Sequence, residues 1–85
     1  MLSDLIINED WSEYNIKKSR HIDRLLFNCD EDWEIDFLVK KIRNHGNWTE
    51  GNIRKAIVLA CYEELAPRPR GSFIRCVLKM LESNY

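Results

Sequence analysis

Apolar side chains recur along residues 28–46 with the period of a helix. Ile35, Leu38, Val39 and Ile42 occupy i, i+3, i+4 and i+7, and Trp33 and Phe37 flank that stripe one turn apart. The segment NCDEDWEIDFLVKKIRNHG also carries acids in its first turns and bases in its last, the order the helix macrodipole favours. Asn28 with Glu31, or Asp30 alone, is expected to cap its start, and Gly46 to take the left-handed position that closes it. A second helix is expected after a short turn. Thr49 is its N-cap, Trp48 and Ile53 form a hydrophobic staple, and Ile53, Ala56, Ile57, Ala60 and Cys61 make its buried side. It should run to about Leu65, because Pro67 cannot continue a helix and drives Ala66 out of the helical region. Phe73, Ile74, Val77, Leu78 and Leu81 give a third stripe, opened either by Ser72 as cap or by Pro69 in the first turn.

The pattern is weaker before residue 28. Leu5, Ile6 and Ile7 form an apolar run too short to separate a strand from a helical turn. In DWSE, Asp10 and Glu13 have the spacing of a capping box, and Trp11, Tyr14, Lys18, His21, Ile22 and Leu25 follow a broken helical seam. That seam predicts a helix from about residue 11 to 27, interrupted near Ser19. The expected fold is all-α, a compact bundle of three helices over 29–85 plus an N-terminal helical segment over 1–28, in one domain spanning 1–85.

With 45% hydrophobic and 32% charged residues, the chain has enough apolar material to collapse and is not of the disordered class. The net charge of -1 argues against a strongly basic nucleic-acid binder. It hides an asymmetry, however: residues 1–36 hold ten acids and four bases, and residues 37–85 hold four acids and nine bases. Either the two parts neutralise each other on packing or a basic face remains exposed. Cys29, Cys61 and Cys76 are odd in number and widely spaced, which argues against a disulfide framework and for a reducing, cytoplasmic location. Cys61 and Cys76 fall on the buried sides of their helices, where a free cysteine acts as a small hydrophobe. The N-terminal MLSDLIINEDW has no basic region before its apolar run, so no signal peptide is expected, and no stretch approaches a membrane span.

Little in the pattern points to catalysis. His21, Cys29, His45, Cys61 and Cys76 show no metal-finger spacing, so no metal or other cofactor is expected. The acids of DEDWEID read as the solvated start of a helix, and His45 as a cation at a helix end. Phosphate loops and nucleophile elbows are absent, and the chain is expected not to be an enzyme. Binding is better represented. Between Glu64 and Glu82 the chain carries Arg68, Arg70, Arg75 and Lys79 and no acid. The APRPR segment is either a spacer between helices or a hook that holds its arginines extended for a partner. Trp11 and Trp48, near element starts, are expected to be partly exposed, either as interface anchors beside those arginines or as covers of the core edge. The leading expectation is a helical protein-interaction module that binds another protein, or itself, through the Arg68 to Lys79 surface. The alternative is nucleic-acid binding through the same segment by phosphate contacts. A helix-turn-helix reading of the GNWT turn is opposed by Glu50, Glu63 and Glu64, which a DNA backbone would repel.

Overall fold

Each of the three strong apolar stripes becomes a long helix. The computed structural model describes residues 2–18 and 26–84, and in chain order its elements are α1 (Leu2–Ile7), α2 (Ser12–Lys17), β1 (Leu26–Phe27), α3 (Asp32–Arg43), α4 (Glu50–Glu63), β2 (Arg68–Pro69) and α5 (Arg70–Asn84). The protein is mostly helical, as the periodicity requires, and its two strands form a single antiparallel bridge in which Leu26 faces Pro69 and Phe27 faces Arg68. Helix α4 packs between α3 and α5, and α1 lies against α5. Leu38, Val39 and Ile42 of α3, Ile53, Ala56, Ile57 and Ala60 of α4, and Phe73, Ile74, Val77, Leu78 and Leu81 of α5 are all buried in one core. Ile6, Trp11, Tyr14 and Phe27 from the N-terminal part enter the same core, and Phe27 stacks on Phe73 at 4.5 Å. The radius of gyration, 11.8 Å, matches the value of about 12 Å expected for a compact chain of this length.

Helix ends follow the sequence in part. Thr49 caps α4, its hydroxyl oxygen accepting from the Asn52 N–H at 3.1 Å. The start of α3 differs: Asn28 accepts from the Asp30 N–H at 2.9 Å in a turn ahead of the helix, and Glu31, the residue at the cap position, makes no side-chain cap bond. Gly46 is not in the left-handed region, since no glycine among the described residues has a positive φ. Its role is steric. A Cβ there would lie 2.4 Å from the Trp48 ring, so glycine lets the indole lie on the backbone. Helix α5 opens at Arg70 directly after Pro69, with Ser72 inside its first turn rather than capping it. The Ala66–Pro67 bond is cis.

The N-terminal part departs most from expectation. Leu5, Ile6 and Ile7 are helical, in α1. The helix expected over 11–27 does not form as one element: α2 ends at Lys17, Lys18 turns extended, and Leu26–Phe27 is a strand. His21, Ile22 and Leu25 of the expected seam lie outside the described residues. Tertiary bonds explain the break. The Lys18 ammonium reaches Glu34 at 2.7 Å and the Tyr14 hydroxyl donates to the Leu26 carbonyl at 3.0 Å, so Lys18 and Leu26 are each held by a tertiary partner. Nor does the capping box form, because Asp10 accepts instead from the N–H (2.9 Å) and the hydroxyl (2.5 Å) of Ser12.

The cysteine expectation is also corrected. Cys29 and Cys61 form a disulfide across 32 residues of sequence, with Cα atoms 6.2 Å apart, and Cys76 is free. Spacing along the chain hid the pair, because the β1–β2 bridge is what carries Cys29 to the end of α4. No helix among the described residues is long and apolar enough to cross a membrane.

Candidate interaction surface

The basic segment turns inward. Arg68 sits at the C-terminal end of α4, where its Nε donates to the Glu64 carbonyl at 2.6 Å and its Nη2 to the Cys61 carbonyl at 3.2 Å. It thereby satisfies carbonyls that the helix end leaves without partners. Arg70 lies over the faces of Trp11 (4.4 Å) and Tyr14 (5.2 Å) and donates to the Asn15 side-chain oxygen at 3.2 Å. Burial holds its pKa below the usual arginine value. Arg75 is exposed and pairs with Asp4 at 3.6 Å. Lys79 is exposed and has no ion pair among the described residues. The segment is therefore a connector: Arg68 of β2 is tied to the end of α4, and Arg70, at the start of α5, to Trp11 and the α2 residues Tyr14 and Asn15.

Both tryptophans are also partly structural. Trp11 is buried rather than partly exposed, and its indole N–H donates to the Ile6 carbonyl at 3.0 Å. Trp48 is half-buried against the core and over Gly46. The six candidate binding residues do not converge on one outward patch. Trp11 and Arg70 meet as a cation–π pair inside the fold, Arg68 lies on the end of α4, Trp48 lies over Gly46, and Arg75 and Lys79 line a depression shared with Asp4 and Glu82.

Charge asymmetry resolves in the same way. Acids of the N-terminal part pair with bases of the C-terminal part: Asp4 with Arg75, Glu9 with Lys41 at 3.1 Å and with His45, and Asp36 with Arg54 at 2.5 Å. Glu34, one of the acids that sequence places on a solvated helix face, is instead 1% exposed. It accepts from the Tyr14 hydroxyl at 2.6 Å, the Lys18 ammonium at 2.7 Å and the Asn28 N–H at 3.0 Å. Burial first, and then this hydrogen bond to Glu34, push the Tyr14 hydroxyl far above the usual phenol range. No sequence signal marks Glu34 for burial, because its partners come from other elements.

An open cleft of about 520 Å³ lies between α2 and α3, lined by Asp10, Glu13, Lys17, Trp33 and Phe37 among others. Asp10 there is held below the ordinary carboxylate range by the Ser12 hydroxyl and N–H, which weakens it as a base. Burial, with Glu64 and Glu63 nearby, raises the Cys76 thiol, which lowers its thiolate fraction. No group of three or more His, Cys, Asp and Glu among the described residues has the arrangement of a metal site.

The feature that stands out is on α4. Val58, Leu59, Tyr62 and, just beyond the helix, Leu65 are 46% to 79% exposed. At about 100° per residue, Val58, Tyr62 and Leu65 share one strip with Leu59 at its border, opposite the buried side formed by Ile53, Ala56, Ile57 and Ala60. Arg54, Lys55, Val58 and Leu59 line a shallow, almost wholly apolar depression of about 390 Å³ on this face. The expected buried side of this helix is its inner stripe alone, yet α4 is apolar nearly all round in its second half, a composition suited to a helix covered on both sides. Comparison with known protein families, curated proteins and solved structures finds no match to this chain.

Proposed function

We propose that this chain is a non-enzymatic helical interaction module that binds another polypeptide through the outer face of α4. The observation that carries this reading is the strip of Val58, Leu59, Tyr62 and Leu65, four large apolar side chains left in water together along one helix face, whereas the exposed Leu5 and Ile16 stand singly on α1 and α2. Tyrosine at its centre suits an interface anchor, offering a large ring with few rotatable bonds and a polar tip. The contact surface thus moves from the Arg68 to Lys79 segment to α4. The nucleic-acid alternative has less to stand on, since Arg68 and Arg70 are engaged within the fold and Arg75 pairs with Asp4.

Location depends on the cross-link. A Cys29–Cys61 disulfide persists in oxidising compartments, and the cytoplasmic expectation applies to the reduced chain. A free-thiol count on protein isolated without reductant separates the two, one thiol marking the cross-linked form and three the reduced one.

The binding surface is tested by placing a photo-activated cross-linking residue at Tyr62 in the producing cell. A covalent adduct of discrete mass, abolished by Val58→Lys with Leu59→Lys while the helical spectrum is kept, is expected. A folded, irradiated chain that forms no adduct rejects the reading.

A further inference from the structure

Resting on that reading, we infer that the occupant of the α4 face is a second copy of this chain, with the two α4 helices packed antiparallel about a two-fold axis at Leu59. The face is complementary to itself. Lys55 lies one turn before Leu59 and Glu63 one turn after it, each about 6 Å along the axis at 1.5 Å per residue. Antiparallel packing about Leu59 therefore sets Lys55 of each copy level with Glu63 of the other. Parallel packing would oppose lysine to lysine and glutamate to glutamate.

Shape agrees with charge. Tyr62 stands three residues past Leu59, so the two-fold brings its ring to the level of residue 56 in the second copy. That level lies within the depression lined by Arg54, Lys55, Val58 and Leu59. A ring that is 79% exposed in one copy thus meets an apolar hollow in the other, and the contact occurs twice, as an isologous interface requires. The cations at the rim can lie over the ring face with their stems along the apolar floor.

The charges used are the ones left over. Arg54 pairs with Asp36 and Glu50, and Glu50 also meets Arg43 at 3.6 Å. Lys55 and Glu63 are exposed and have no ion pair among the described residues. A net charge of -1 leaves little long-range repulsion between copies.

The test is sedimentation equilibrium of the full chain over roughly 1 to 500 µM, the range in which a small interface dissociates, together with the Tyr62 cross-linker. A concentration-dependent rise from 10.2 kDa toward twice that mass, and an adduct of two chains, are expected. Lys55→Glu alone and Glu63→Lys alone should each lower the association constant about tenfold, since each replaces two attractive pairs per dimer by like charges. The two changes together in one chain should restore association to within about twofold of the starting protein, a recovery that a fold defect would not show. A chain that stays monomeric throughout but cross-links at Tyr62 to a different protein overturns the second-copy inference and leaves the interaction module standing. A monomer with no adduct overturns both. A dimer indifferent to both single charge reversals overturns the antiparallel arrangement.

Discussion

Replacing Glu34 by alanine removes a carboxylate that three donors converge on, the Tyr14 hydroxyl, the Lys18 ammonium and the Asn28 N–H. The Tyr14 hydroxyl keeps the Leu26 carbonyl at 3.0 Å. Lys18 has no such alternative. Its side chain is almost as buried as that of Glu34, and breaking a buried pair from one side costs about 3–5 kcal/mol. The Asn28 N–H loses its acceptor as well, at about 1 kcal/mol, although the lysine stem can swing its charge toward water and recover part of the total. A net loss of about 3–4 kcal/mol follows, a large fraction of the roughly 4–13 kcal/mol available to a domain of this size. Urea unfolding followed by tryptophan fluorescence should show the midpoint falling by about 2–4 M, for a slope near 1–1.5 kcal/mol/M. Replacing both partners, Lys18→Met with Glu34→Leu, should cost much less than Glu34→Ala alone, because no charge is then left buried. A Glu34→Ala protein within about 1 kcal/mol of the parent, or single changes at Lys18 and Glu34 whose effects simply add, would refute the account.

Tyr14 gives a pH prediction. Its pKa is raised in the folded state above the ordinary tyrosine value of about 10, so the stabilisation it represents is fully present below pH 10 and is lost as pH rises beyond it, when only the unfolded chain gives up the proton. Urea midpoints should decline above that pH with a slope near one proton, and Tyr14→Phe should remove that contribution. The Cys29–Cys61 bond closes a 32-residue separation, which in the chain-entropy account stabilises by about 4 kcal/mol. Dithiothreitol and Cys29→Ser should lower the midpoint equally, and a midpoint insensitive to both would show that the thiols are not joined. Gly46→Ala should destabilise by about 1–3 kcal/mol by driving a methyl into the Trp48 ring. At Gly51 a Cβ meets nothing closer than 4.0 Å, and Gly51→Ala should stabilise α4 by about 0.5 kcal/mol; thermal melts of the two variants moving the same way would refute the contrast.

Periodicity by itself determined the three long helices. The stripes of α3, α4 and α5 are each dense enough that one face has to be covered, and the residues that read as buried are almost all in the core. The Thr49 cap and the acid-to-base order of α3 were equally local, since each involves groups within one or two turns. What the chain order could not convey is which distant groups meet. Glu34 reads as one more surface acid until Tyr14 and Lys18 are brought over it, and Cys29 reads as a lone thiol until the β1–β2 bridge sets it beside Cys61. For Arg68 and Arg70 the sequence leaves spacer and hook both open, because proline spacing says nothing of the helix end and the aromatic rings waiting beside them. The outer face of α4 is the converse case. Its apolar residues were visible in the sequence, but only the packed fold shows that α3 and α5 cover the other side of that helix and leave Val58, Leu59 and Tyr62 in water. Local pattern fixes an element when the deciding contacts lie a few residues apart, and tertiary structure decides a site when they do not.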